Sequence, residues 1–257
     1  KTRMRNIRLT LSYDGTHFNG WQIQAAGRTV QGVLEAALAE IHGARVPVHA
    51  AGRTDSGVHA VGQVVSFKTE HPSIPTEKFR EALNSMLPLD VRVHESVDVS
   101  EEFHARYSAK LREYRYYLLY SPAPVAHRNF YCHRVNRPLD VHLLNRMAAA
   151  LVGEHDFATF ASSSSSSSGD ENTVRHIVAA SFFPSGPYVC FRVVANGFLW
   201  KMVRSIIGTV LTLSSGADAA ADPVAAFRDA LAARDRARAG TTAPARGLFL
   251  HRVIYDK

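Results

Sequence analysis

The chain has 257 residues, 46% of them hydrophobic, enough for one large domain or two small ones with a real core. Lysine and arginine outnumber aspartate and glutamate, 30 to 23, for a formal charge of +7, a balance that suits a polyanionic partner without demanding one. The two cysteines, Cys132 and Cys190, lie far apart with no Cys/His cluster to frame a metal site, and no apolar run reaches the roughly 18 residues of a membrane span. Two buried reduced thiols in a soluble, cytoplasmic protein is the expectation. The basic N-terminus runs directly into an alternating strand and does not read as a signal peptide.

Residues 6–13 alternate, with Ile7, Leu9, Leu11 and Tyr13 on one face. Residues 30–42 place Val33, Leu34, Ala37, Leu38 and Ile41 at helical spacing, with Thr29 to cap the helix and Gly43 to end it. Val46, Val48 and Ala50 read as a second strand, and a loop over 51–60 follows. Val65 and Phe67 lie in a third strand. Thr76 is expected to cap a helix with Phe79, Ala82, Leu83 and Met86 inward, and Val91, Val93 and Val97 make a fourth strand. The order is β-α-β-β-α-β.

The second half reads similarly. Tyr114, Tyr116, Leu118 and Tyr120 alternate as a strand, and Leu144, Met147, Ala148 and Leu151 stripe a helix that Gly153 should end. Strands near 174–183 and 188–195 flank the turn Ser185-Gly186-Pro187. A strong helix is expected over 198–214 and a short one from Asp222-Pro223, before a closing strand with Leu248, Leu250 and Val253. The run Ser162 to Ser168 is low-complexity and reads as a mobile loop. These patterns predict an α+β protein of two ferredoxin-like halves, 1–103 and 104–257, with a mainly antiparallel sheet and a central catalytic cleft.

The segment Ala51-Gly52-Arg53-Thr54-Asp55-Ser56-Gly57-Val58-His59-Ala60 is the candidate for chemistry. On its own it is a strand connection rich in turn formers, in which Asp55 could make an Asx-type turn. Its length exceeds what a hairpin needs, and Arg53 places a guanidinium two residues from the carboxylate. With it go Tyr13-Asp14-Gly15-Thr16, Gly20-Trp21-Gln22, Thr29-Val30-Gln31, Gly62-Gln63-Val64, Phe103-His104-Ala105-Arg106, Tyr114-Arg115-Tyr116, His155-Asp156-Phe157, Asn196-Gly197-Phe198-Leu199 and Met202-Val203-Arg204. This ordered series, spanning most of residues 6–255, resembles the TruA family of tRNA pseudouridine synthases.

The resemblance implies an isomerase without cofactor or metal, acting as a homodimer on the anticodon arm of tRNA at tRNA positions 38, 39 and 40. Asp55 matches the family's essential aspartate, able to attack the base or the sugar or to take a proton. Arg53 matches the motif arginine, suited to gripping a phosphate or holding the target out of the stack. Tyr114 matches the tyrosine that packs on the target base. Arg204 falls opposite the stripe of Met202, Ile206 and Val210, and the resemblance gives it the role of pairing with Asp55 and keeping it ionised. Leu248 is expected as an apolar floor for the base or an ordinary strand residue, and Arg106 as a substrate contact, placed by charge and motif proximity. Arg28, Arg112 and Lys201 are further candidates for the backbone, chosen by charge and motif proximity. His59, His104 and His155 recur in the motifs, and none is given an acid–base role.

Two other readings compete. A non-catalytic RNA-binding protein with two RRM-like halves would need aromatic motifs exposed on its sheet. A methyltransferase would need a glycine-rich cofactor loop after a strand, which the spacing of Gly27 to Gly32 does not supply.

Overall fold

Strand β1 (Arg5–Tyr13) forms where alternation predicts, with Ile7, Leu9 and Leu11 fully buried. It belongs to a computed structural model that describes residues 4–71, 73–162, 172–215 and 219–256. The serine run falls on residues outside these, apart from Ser162. Contacts divide the chain into two units, Lys1–Arg112 with Phe249–Lys257, and Glu113–Leu248. The boundary drawn from sequence lies earlier, after residue 103, and keeps the final strand with the second half.

In the first unit, helix α1 (Val30–His42) starts at Thr29, whose hydroxyl accepts the Gly32 N–H at 3.2 Å, and ends at Gly43 with φ 67°. Its buried face differs from the expected stripe. Val33 and Ile41 are half-buried, and Glu35 is buried with Leu34 and Leu38. The Glu35 carboxylate accepts from Gln31 Nε2 at 2.9 Å, Arg45 Nε at 3.2 Å and the Val48 N–H at 3.2 Å. That last bond explains a second difference. Strand β2 is only His49–Ala50, because the Val48 N–H serves a carboxylate instead of a ladder.

Strand β3 (His59–Thr69) and strand β4 (Val91–Val99) flank β1 antiparallel, with Leu9 opposite Val65 and Ser96. Between them lies helix α2 (Phe79–Met86), which buries Phe79 and Leu83. Thr76 does not cap it. It opens a short 3-10 turn, and its hydroxyl donates to Asp98 at 2.7 Å. The other edge of β3 is shared. Its C-terminal part pairs antiparallel with β2, and its N-terminal end pairs parallel with the last strand, β10 (Leu248–Tyr255), through Phe249–His59 and Leu250–Ala60.

The second unit carries most of β5 (Ala109–Tyr120), a short β6 (His133–Val135) parallel to it, β7 (Gly153–Asp156), β8 (Val174–Ser185) and β9 (Tyr188–Ala195). Their order is β5-β9-β8-β7. Helix α3 (Val141–Ala149), capped by Asp140, stops before Gly153. Leu151 stays on the buried stripe because residues 150–152 tighten into i→i−3 bonds, and Gly153, with φ 111°, opens β7. Helix α4 (Met202–Ser214) begins four residues later than the apolar run suggests. Lys201 has a left-handed φ of 60°, outside helical geometry, so Phe198 and Leu199 belong to the preceding turn. α4 is buried nearly all round, and Gly208 in it lies so close to the chain at Thr241 that a Cβ would stand 1.6 Å from that carbonyl oxygen. Helix α5 (Pro223–Ala233) starts at Asp222 as expected. Cys132 and Cys190 are buried free thiols, and burial raises both, Cys190 to about 11. Among the described residues no helix is long and apolar enough to cross a membrane.

Candidate active site

The loop between β2 and β3 is held from both sides by the segment that follows β1. Trp21 N–H donates to Thr54 O at 3.0 Å, and Gly57 N–H and the Ser56 hydroxyl both reach Phe18 O, at 3.3 and 3.2 Å. The approach is close enough to require glycines. A Cβ at Gly15 would meet Val58 O at 2.0 Å, and one at Gly20, where φ is 90°, would meet Thr54 O at 2.7 Å. The two segments therefore fix each other's backbone, and Asp55 sits in the middle, half-buried, with Arg53 exposed two residues before it.

Beneath the loop runs a chain of buried polar groups. The Tyr13 hydroxyl and Thr54 Oγ1 share a hydrogen bond of 2.7 Å. Gln63 Nε2 reaches Tyr13 at 3.4 Å and donates to Gly52 O at 2.8 Å. All three side chains are buried, and burial pushes the Tyr13 phenol up to about 12. A buried polar group left without a partner costs about 1–3 kcal/mol, so this chain specifies one seating of the loop.

His59 closes the loop and is 1% exposed. Its Nδ1 accepts the Gly15 N–H at 2.9 Å, which requires a lone pair on that nitrogen. The Asp14 carboxylate, 3.2 Å from the same atom, is also bonded by Thr16 through its N–H and hydroxyl. The other face of the imidazole stacks on Phe249 at 4.6 Å. His59 is thus a structural hinge pin for the loop.

Of the expected backbone-gripping arginines, two are spent internally. Arg28 forms a bidentate pair with Asp90, at 2.6 and 2.8 Å, over the ring of Phe18. Arg112 donates to Ala51 O at 3.2 and 3.1 Å and to Arg106 O at 2.6 Å, bracing the root of the Asp55 loop. Arg106 is exposed, and the Lys201 ammonium lies 4.2 Å over the Trp200 ring.

In the second unit Tyr114 is buried, its ring edge-on to Phe198 at 5.0 Å. Arg204, in the first turn of α4, is half-buried and donates from Nε to Ala243 O at 2.8 Å, while Ala243 N–H returns a bond to Arg204 O at 3.0 Å. One edge of its guanidinium is thereby fixed. Leu248 is 6% exposed at the start of β10. Just before it, Gly247 lets the ring of Tyr116 approach, and the Tyr116 hydroxyl donates to Pro244 O at 2.7 Å. Among the described residues no group of three or more His, Cys, Asp or Glu side chains is placed to hold a metal ion.

Tyr13, Gln63 and Arg112 are the supporting residues whose roles composition does not reveal. A signal exists for two of them. Gln63 interrupts the apolar run of β3, and Tyr13 ends a buried strand face with a hydroxyl, so each needs a partner inside.

The fixed loop with its half-buried carboxylate stands beside a match found by sequence comparison. The model of the tRNA pseudouridine synthase family matches residues 10–108 and 147–256, and the chain belongs to that family. Among its relatives, a protein of Halalkalibacterium halodurans named tRNA pseudouridine synthase A is 46% identical over 247 residues, covering 96% of this chain and 91% of the relative. Proteins with the same name from Treponema denticola and Moorella thermoacetica are 43% and 44% identical, covering 98% and 97% of this chain and 94% and 99% of their own.

Proposed function

We propose that this protein converts uridine to pseudouridine in the anticodon arm of tRNA, at positions 38, 39 and 40, with Asp55 as the reacting carboxylate. The observation that carries the reading is the seating of Asp55. Its loop is pinned by backbone bonds to Phe18 and Trp21 and by the buried Tyr13–Thr54–Gln63 chain, while its side chain stays half-buried rather than sealed. Such preorganisation is what a reaction depending on the placement of one carboxylate requires.

The reaction is redox-neutral and gains no atoms. The bond from C1′ to N1 breaks, the base turns, a bond from C1′ to C5 forms, and the proton on C5 is lost while N1 gains one. A carboxylate can serve as a nucleophile toward the sugar or the base, or as the acceptor of the C5 proton. In this reading Arg204 is the counter-charge to Asp55, Tyr114 the stacking face for the target base, and Leu248 its apolar floor. Arg53 and Arg106 hold phosphates or the extruded nucleotide, offsetting the few kcal/mol that extrusion costs. A homodimer acting in the cytoplasm completes the proposal.

The test is tritium release from tRNA labelled at uracil C5. Asp55→Asn should bind tRNA as the wild type does and release none, and activity near the wild-type level in that variant would overturn the assignment.

A further inference from the structure

The turn after β4 carries an exposed aromatic ring, Tyr107, 77% exposed. An exposed tyrosine is ordinarily a mobile one, but the backbone here is held on every side. Ala105 is fully buried, its N–H donates to the Ser66 hydroxyl at 3.1 Å, and its carbonyl accepts from the Tyr255 hydroxyl at 2.7 Å. Ser108 N–H bonds His104 O at 2.9 Å, and the Ser108 hydroxyl accepts the His104 N–H at 3.0 Å. Arg106 N–H is taken by His104 Nδ1 at 3.1 Å, and Arg106 O by Arg112 at 2.6 Å.

The ring is held as well. It lies on His104 with centroids 4.4 Å apart and a 35° tilt, and His104 lies on His49 at 4.6 Å and 34°. Burial, with His49 and Arg106 nearby, holds the His104 imidazole below its usual range, so the middle of the stack is a neutral ring at neutral pH. The Arg106 guanidinium stands 5.8 Å from the centre of Tyr107 and makes no ion pair among the described residues. A flat ring backed by two more, fixed at its base, with a cation at its side, is the arrangement that stacks an unpaired nucleobase and meets its phosphate. The same Arg112 guanidinium that holds Arg106 O also holds Ala51 O, so this turn and the root of the Asp55 loop are neighbours within one unit.

We propose that Tyr107, backed by His104 and His49 and flanked by Arg106, is a second base-stacking platform, which takes an unstacked nucleotide of the anticodon arm beside the target uridine. The proposal rests on the tRNA reading above. Removing the ring should weaken tRNA binding about 5- to 150-fold, the range for losing one base–aromatic stack.

The experiment compares wild type, Tyr107→Leu and Tyr107→Phe, binding a tRNA transcript and a panel of transcripts that each carry one abasic nucleotide in the anticodon arm. Tyr107→Leu should bind the intact transcript in that weakened range with an unchanged unfolding midpoint, and Tyr107→Phe should bind like wild type. In single-turnover assays at saturating tRNA, Tyr107→Leu should keep its rate within a few-fold. The penalty should vanish for one abasic transcript, the one lacking the stacked base. Binding by Tyr107→Leu within about twofold of wild type, an equal loss in the Phe variant, or a penalty identical across every abasic transcript would each overturn the platform. Failure of wild type itself to bind or modify the tRNA would instead overturn the functional reading.

Discussion

Tyr13 meets Thr54, the residue next to Asp55, through a 2.7 Å hydrogen bond, and both are buried. The hydroxyl of Tyr13 is therefore part of what positions the loop. Tyr13→Phe leaves Thr54 Oγ1 and Gln63 Nε2 each short of one partner. The expected cost is about 1–3 kcal/mol of stability, read by urea unfolding. Turnover should fall with tRNA affinity little changed. Gln63→Leu, which also strips Gly52 O of its donor, should cost at least as much; an unchanged turnover in both variants would separate this chain from loop positioning.

Gly15→Ala tests the close approach of the two backbones. A Cβ 2.0 Å from Val58 O cannot be accommodated without moving the loop. The expected loss is about 3 kcal/mol or more, with most of the activity. Gly43→Ala is the control. Unlike Gly15, Gly43 has a positive φ, of 67°, but its Cβ would meet nothing within 4 Å, so the cost should stay near 1 kcal/mol with activity retained. Thermal unfolding of the two variants side by side checks the contrast.

Arg204→Ala should lower turnover by more than it lowers tRNA affinity. Arg204→Lys should recover little, because a lysine cannot both hold Ala243 O, as Nε does at 2.8 Å, and present a second charged edge. A loss confined to binding would make Arg204 a phosphate contact instead.

Glu113 gives a pH-dependent prediction in the second unit. Its carboxylate is 1% exposed and is bonded by Arg115 Nε at 2.9 Å and Arg192 Nε at 3.1 Å. Burial alone would raise its pKa, but the two guanidiniums outweigh that and hold it below the ordinary glutamate value. A carboxyl with a depressed folded pKa stabilises the fold fully above its unfolded pKa, roughly 4.3, and loses that contribution as pH falls through the lower folded value. Glu113→Gln should cost about 3 kcal/mol at neutral pH and flatten the acid limb of the stability curve. Denaturant unfolding from pH 7 down to pH 3 measures both.

Binding of tRNA should weaken steeply with salt, and the share of each arginine should follow its partners. Arg53→Ala and Arg106→Ala should make the dependence of affinity on salt shallower. Arg28→Ala, whose guanidinium is closed by Asp90, should leave the slope as it is and lower stability instead.

Most of the first unit was legible because its signals are local. The alternation of Ile7, Leu9 and Leu11 and the pair Thr29 and Gly43 act within a few residues. The failures involve a distant partner or a local backbone turn. β2 is short because Glu35, thirteen positions before Val48, takes its N–H. α4 starts late because Lys201 turns left-handed, which no apolar count registers. The loop was found through motif resemblance, but what seats it depends on strand register bringing Tyr13, Thr54 and Gln63 together. Charge alone could not separate Arg53 and Arg106, which face outward, from Arg28 and Arg112, which hold the fold.

The parallel pairing of Phe249 and Leu250 with His59 and Ala60 has a consequence for how the chain is made. The strand that covers this end of β3 is synthesised only after the whole second unit. Until then the nascent first unit has an open sheet edge, and His59, which holds Gly15 and so the Asp55 loop, lacks the ring that covers it. Such long-range closure is slow and leaves the partial sheet open to wrong pairing. The loop can thus be seated for chemistry only once translation has passed Phe249, so a polypeptide stalled before that point would be inactive and a natural client for chaperones.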